Sequence, residues 1–154
     1  MPLPTPSERT MSLWKQQIDL DAVNGWNKGT AAEALGIRIT ELGADYVRGA
    51  MPVDARTRQP FGLLHGGASV LLAETLGSLA ANLCLDPAKE FAVGLDINAN
   101  HLRAVQSGEV TGTAAPLHIG RTTQVWEIRI VTDAGELNCI ARLTMAIVPR
   151  RDRA

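Results

Sequence analysis

Gln59-Pro-Phe-Gly-Leu-Leu-His65-Gly66-Gly67-Ala-Ser-Val-Leu-Leu-Ala-Glu74-Thr-Leu-Gly-Ser78-Leu-Ala-Ala-Asn82 is the stretch whose reading decides the fold. Pro60 and Gly62 mark a loop. From Ala68 to Leu83 helix formers stand at nearly every position with no proline, so the spacing predicts a helix that begins at Gly66-Gly67. That helix is apolar on almost every side. A surface helix carries a charged face, so this one is expected to be enclosed by the rest of the protein. Glu74, Ser78 and Asn82 recur four residues apart and form one narrow polar stripe, while Leu72, Leu76, Leu79 and Leu83 form an apolar one. An enclosed carboxylate is costly unless it is partnered, shifted in pKa or used in chemistry. A structural Glu, hydrogen-bonded where the helix meets another subunit, is the plain alternative to a reactive one.

Beyond the helix the hydrophobic period changes to two. Phe91 to Arg103 reads as a long strand carrying Val93, Leu95, Ile97 and Leu102, with Asn98, Asn100 and His101 as its polar positions. Turns at Gln106-Ser-Gly108 and His118-Ile-Gly120-Arg121 bound a strand from Glu109 to Leu117. Trp126, Ile128 and Ile130 share one face of the next, Thr122 to Thr132. After the turn Asp133-Ala-Gly-Glu136, Leu137, Cys139, Ala141, Leu143, Met145 and Ile147 alternate along the last strand. Toward the N-terminus, Leu35, Ile37 and Ile39 alternate from Ala34, and Tyr46 to Val53 follows as the second arm of a hairpin. Ser12 to Asn27 suits one or two short helical turns lying on the sheet. One long helix with five or six antiparallel strands is an α+β arrangement in a single domain spanning 11–149. Residues 1–10, with three prolines, are expected to be loose, and 150–154 to be a polar tail. A sheet with one helix leaves edges and faces uncovered, so a protomer of this kind is expected to pair with a copy of itself.

The totals narrow the function. A charged fraction of 20%, an apolar fraction of 45% and a net charge of -1 argue against a general nucleic-acid or membrane-surface binder. Cys84 and Cys139 stand alone in apolar segments and are expected to be reduced core residues of a cytoplasmic protein. Prolines interrupt the N-terminal stretch where an export signal needs an unbroken apolar core.

Three segments together resemble a known family. Gln59 to Glu74, Val93-Gly-Leu-Asp-Ile-Asn-Ala-Asn-His101-Leu-Arg103 and Pro116-Leu-His118-Ile-Gly120-Arg121 are similar to the hotdog-fold acyl-CoA thioesterases. The branch resembled includes phenylacetate-degradation thioesterases, Arthrobacter-type 4-hydroxybenzoyl-CoA thioesterase and 1,4-dihydroxy-2-naphthoyl-CoA thioesterases. The resemblance covers about residues 30 to 148 in order. It implies a hotdog fold, a helix wrapped by antiparallel sheet, in dimers that pair into tetramers. It also implies an acyl-CoA substrate, with coenzyme A as part of the substrate and no separate cofactor or metal.

Thioester hydrolysis needs a group that attacks or activates water and donors for the charge growing on the carbonyl oxygen. Glycines at a helix start leave backbone N–H groups open to a carbonyl, although a flexible helix start explains them equally well. By the resemblance, the Gly66 N–H is the oxyanion donor, Gln59 and His65 support or polarise the thioester, and Glu74 is the reactive carboxylate. Ser78 would hold the carboxylate or the attacking water, or serve merely as a small packing residue. Eight residues of straight helix separate Gly66 from Glu74 by about 12 Å. Both must approach one reacting centre to about 3 Å. If both roles hold, the site joins the helix start of one subunit to Glu74 of another. Arg103, Arg121, His101, His118 and the Gly120 backbone, with Arg150 or Arg151, are the candidates for the CoA phosphates, each otherwise an ordinary surface group. A hotdog-fold dehydratase and a silent CoA-thioester binding module are the competing readings.

Overall fold

In the computed structural model, which describes residues 13–150, the period-two segments become strands and the apolar run becomes one unbroken helix. The elements are α1 (Leu20–Trp26), α2 (Ala31–Ala34), β1 (Arg38–Leu42), β2 (Val47–Pro52), α3 (Gly66–Leu83), β3 (Glu90–His101), β4 (Glu109–Ile119), β5 (Thr123–Thr132) and β6 (Leu137–Pro149). The strands form a single antiparallel sheet in the order β1-β2-β4-β5-β6-β3. The loose N-terminus and Arg151 of the expectations above lie outside the described residues.

The sheet curls around α3, and its inner face is the core. Trp126, Ile128 and Ile130 of β5 and Cys139, Leu143 and Met145 of β6 are buried, as the alternation requires. Leu72 and Leu76 of α3 are fully buried against β2 and β4. Gly49 and Gly112 make that approach possible, since a Cβ on either would stand 2.6 or 2.7 Å from a Leu76 methyl. On the other side of the helix, Gly77 lies against Leu143 and Ile128. Asn82 fastens α3 to the edge strand: its Nδ2 donates to Ala92 O at 3.2 Å, and the Ala92 N–H donates to its Oδ1 at 2.9 Å. Asn24 docks α1 on β1 in the same way, through the Ile39 backbone.

Two expectations need correction. The strand predicted from Ala34 does not begin there: Ala31-Ala-Glu-Ala forms the short α2, and Gly36 at φ 72° turns the chain before β1 starts at Arg38. Leu35 and Ile37 fit a strand period only because the alternation is short enough to span a helix end and a turn. Nor is α3 enclosed on all sides. Glu74, Thr75, Ser78, Leu79 and Asn82 are half-buried, along a face the sheet does not reach. β3, twelve residues long, is an unpaired edge with Leu95 63% exposed. Among the described residues no helix is long and apolar enough to cross a membrane.

Candidate active site

The start of α3 is capped in a way that singles out one amide. His65 is the N-cap, and its Nδ1 accepts from the Gly67 N–H at 2.8 Å. The Ala68 and Ser69 N–H groups donate to the His65 carbonyl at 3.0 and 3.2 Å. Of the first four amides of the helix only that of Gly66 is unengaged by the described residues, and it carries the positive end of the helix dipole. Because Nδ1 of His65 accepts, the ring proton sits on Nε2 and faces outward as a donor. Gln59 accepts from the Phe61 N–H through its Oε1, which leaves its NH2 free to donate. Gln59, Gly66, Ser69, His101, Arg103 and Asn138 all line one cavity of about 360 Å³ at this end of the helix.

Glu74 lies two turns further on, on the open face. Ser78 Oγ donates to its Oε1 at 3.3 Å. No lysine or arginine pairs with it among the described residues. Opposite it, on β3, stands Gly94, where a Cβ would come within 2.6 Å of Glu74 Oε1. This glycine was not singled out from the sequence, although an isolated glycine inside a long strand is a signal of close approach. Beside Ser78 is a second cavity of about 310 Å³, lined by Val23 and Trp26 of α1, Ile39 of β1, and Thr75, Ser78 and Leu79 of α3. Its walls are mostly apolar.

Within one protomer these parts stay apart. The helix is continuous from Gly66 to Leu83, so its rise keeps Gly66 about 12 Å from Glu74. The basic candidates divide likewise. His101 and Arg103 lie at the helix-start end of the sheet, Arg103 3.3 Å from Glu136. His118, Gly120, Arg121 and Arg150 lie toward the opposite end, where Gly120 packs on the His118 ring and the Arg150 guanidinium sits 5.4 Å from the centre of the Phe91 ring. Pro149 pairs with Glu90, so Arg150 lies about 36 Å along the strand direction from His101, whereas His118 is level with Asp96, about 17 Å from it along that direction.

A long helix held in the curl of one antiparallel sheet is the hotdog fold of thioesterases. The family model described as Thioesterase superfamily matches residues 61–139, and the chain belongs to that superfamily. It is 49% identical over 136 residues to 1,4-dihydroxy-2-naphthoyl-CoA hydrolase of Escherichia coli, covering 88% of this chain and 99% of the relative. It is also 49% identical to proofreading thioesterase EntH of Cronobacter turicensis, with 88% and 98% covered. The crystal structure of a mutant thioesterase PA1618 from Pseudomonas aeruginosa superposes with a TM-score of 0.89 at 53% identity, covering 90% of this chain and all of that one. The protein is a thioester hydrolase.

Proposed function

We propose that the protein hydrolyses an acyl-CoA thioester, with an aromatic or medium-length acyl group, at sites each built from two copies of the chain. The observation that carries this reading is the complementarity of the two ends of β3: Gly94 lies on Glu74, and His101 lies on Gly66. A two-fold axis crossing this open edge near Asn98 sets the bulge at Gly94 to Asp96 of one copy opposite His101 of the other. Glu74 of one subunit then faces the Gly66 amide of its partner. The same operation brings Arg103 of one copy toward Arg121, Arg150 and the His118 to Gly120 segment of the other, a shared cationic mouth for the CoA phosphates. Two such dimers form the tetramer.

In this site the Gly66 N–H donates to the thioester carbonyl oxygen, with Gln59 NH2 and His65 Nε2–H beside it. Glu74, held by Ser78, either removes a proton from an attacking water or attacks the carbonyl carbon itself. The new C–O bond replaces the C–S bond, and the thiolate leaves to take up a proton. On the water route that proton is the one Glu74 removed. On the direct route water opens the resulting anhydride. The cavity between α1 and α3, at the lower end of the range of about 300–1,000 Å³ for ligand sites, takes the acyl group. The names of the Escherichia coli and Cronobacter relatives support a CoA thioester and a hydrolytic outcome. Coenzyme A enters as part of the substrate, and the scheme uses no further cofactor.

Thiol release from benzoyl-CoA and hexanoyl-CoA, followed with a disulfide reagent, tests the proposal. Turnover that Glu74→Ala abolishes is the expected result. Binding without turnover would replace it with a carrier module, and loss of enoyl absorbance without thiol release with a dehydratase. A single turnover in ¹⁸O water followed by mass analysis of the Glu74 peptide separates the two routes, since only direct attack leaves label in the carboxylate.

A further inference from the structure

The second imidazole at the helix start is His101, the last residue of β3, and its ring lies against Gly66 with Nε2 nearest. The atom nearest to a Cβ position on Gly66 is His101 Nε2 at 2.8 Å, followed by Cε1 at 3.1 Å and Cδ2 at 3.3 Å. A Cβ lies about 2.5 Å from the nitrogen of its own residue, so Nε2 is at most about 5.3 Å from the Gly66 amide nitrogen. One oxygen accepts from two nitrogens at about 2.9 Å each whenever those nitrogens are less than about 5.8 Å apart. The separation of the two nitrogens therefore allows a single carbonyl oxygen to be shared. Neither ring nitrogen of His101 is engaged by another described residue, and the ring borders the same cavity as Gln59 and Gly66. His65, by contrast, has committed its Nδ1 to capping the helix.

We propose that His101 is a catalytic residue: its Nε2–H donates, beside the Gly66 N–H, to the carbonyl oxygen of the thioester, and its ring fills the space that any side chain at position 66 would need. This differs from a role at the CoA phosphates, for which the sequence makes His101 a candidate. It rests on the assignment of the Gly66 amide as the oxyanion donor. No proton is transferred in the step. The hydrogen bond strengthens as negative charge gathers on oxygen, so its loss falls on kcat rather than KM.

Three variants test this with benzoyl-CoA. His101→Phe keeps the ring and removes the donor, and is expected to lower kcat by about 10- to 100-fold, with KM changed by less than about threefold. His101→Gln restores an N–H donor and is expected to recover most of the loss. In a Glu74→Ala background, where the thioester persists, the Raman stretch of ¹³C-labelled carbonyl in bound benzoyl-CoA is expected to shift to lower frequency. Adding His101→Phe should reverse part of that shift. A His101→Phe variant with wild-type kcat, a KM increase at constant kcat, or an unmoved carbonyl stretch overturns the inference while leaving thioester hydrolysis intact. Absence of thiol release by the wild-type protein overturns both.

Discussion

Gly94→Ala isolates the carboxylate from the fold. All three heavy atoms nearest to the added methyl belong to Glu74: Oε1 at 2.6 Å, Cδ at 3.6 Å and Oε2 at 3.9 Å. Carbon-to-oxygen contacts begin at about 3.3 Å, so Oε1 must retreat by about 0.7 Å. Turning the carboxylate is the cheapest relief, and it breaks the 3.3 Å bond from Ser78. The backbone raises no objection, because Gly94 is not at positive φ. A displacement of about 1 Å costs on the order of 10²-fold in rate, so kcat/KM is expected to fall by about 10- to 100-fold, equivalent to about 1.4–2.7 kcal/mol of transition-state stabilisation. Thiol release with benzoyl-CoA measures the rate, thermal unfolding the stability and size-exclusion chromatography the assembly. Tm and elution volume are expected to match those of the wild type. Unchanged kcat/KM would refute the reasoning. So would a loss of activity accompanied by a large fall in Tm or a smaller assembly, since the glycine would then serve the sheet rather than Glu74.

Gly77→Ala is the reverse case: its methyl would meet Leu143 Cδ2 at 2.5 Å and Ile128 Cδ1 at 3.4 Å in the core. Overpacking costs of about 1–3 kcal/mol outweigh a helix-propensity gain of about 1. Urea unfolding should show net destabilisation, and a stabilised variant would contradict the packing described. Burial pushes the Cys84 thiol up to about 11, against a smaller opposing effect of Lys15, and raises that of Cys139 as well. Folding favours the protonated thiol, so this contribution is fully present below the ordinary thiol value of 9.0 and is lost as pH rises through about 11. Native protein at pH 8 should therefore resist the disulfide reagent, with both thiols reacting only after denaturation. Rapid native labelling would refute this. Finally, Glu74→Ala and Gly66→Val subunits, each inactive alone, should regain about a quarter of wild-type activity on random exchange, since half the dimers then carry one intact site of two. No recovery despite exchange proven by mass spectrometry would rule out the shared site.

The sequence was most legible where one period governed a long run. Leu137 to Ile147 alternates for eleven residues, and β6 buries Cys139, Ala141, Leu143 and Met145 of that set, with Leu137 and Ile147 half-buried at its ends. The proline-free run from Ala68 could only be a helix. Short runs were ambiguous: the Leu35, Ile37, Ile39 alternation fits a strand, yet Thr30 and the alanines after it favour a helical turn first. At the site, the Glu74, Ser78, Asn82 stripe was readable because spacing of four is local geometry. The placement of Gly94 on Glu74 and of His101 on Gly66 was not, because each contact joins an element to a strand whose register the pattern leaves open. The basic residues were grouped by charge alone, and charge carries no information on which end of a sheet a residue occupies.

The helix's all-round apolar character and its half-exposed face would be reconciled by the β3–β3 pairing proposed for the site. A protomer alone leaves Leu71, Leu79 and the polar stripe on the side of α3 that the sheet does not reach, and the outer side of β3 beyond the Asn82–Ala92 contact is an open strand edge. An edge that long invites pairing with another strand. The proposed pairing of β3 with its own copy would satisfy these groups and lay the start of one helix over the open middle of the other. In that dimer the apolar positions around Glu74 would lose their water together with the carboxylate, and the amide and carboxylate would act in a drier medium where each is more effective. On this reasoning catalysis and assembly stand or fall together, because the surface that is unfinished as a fold is the surface that is unfinished as a site.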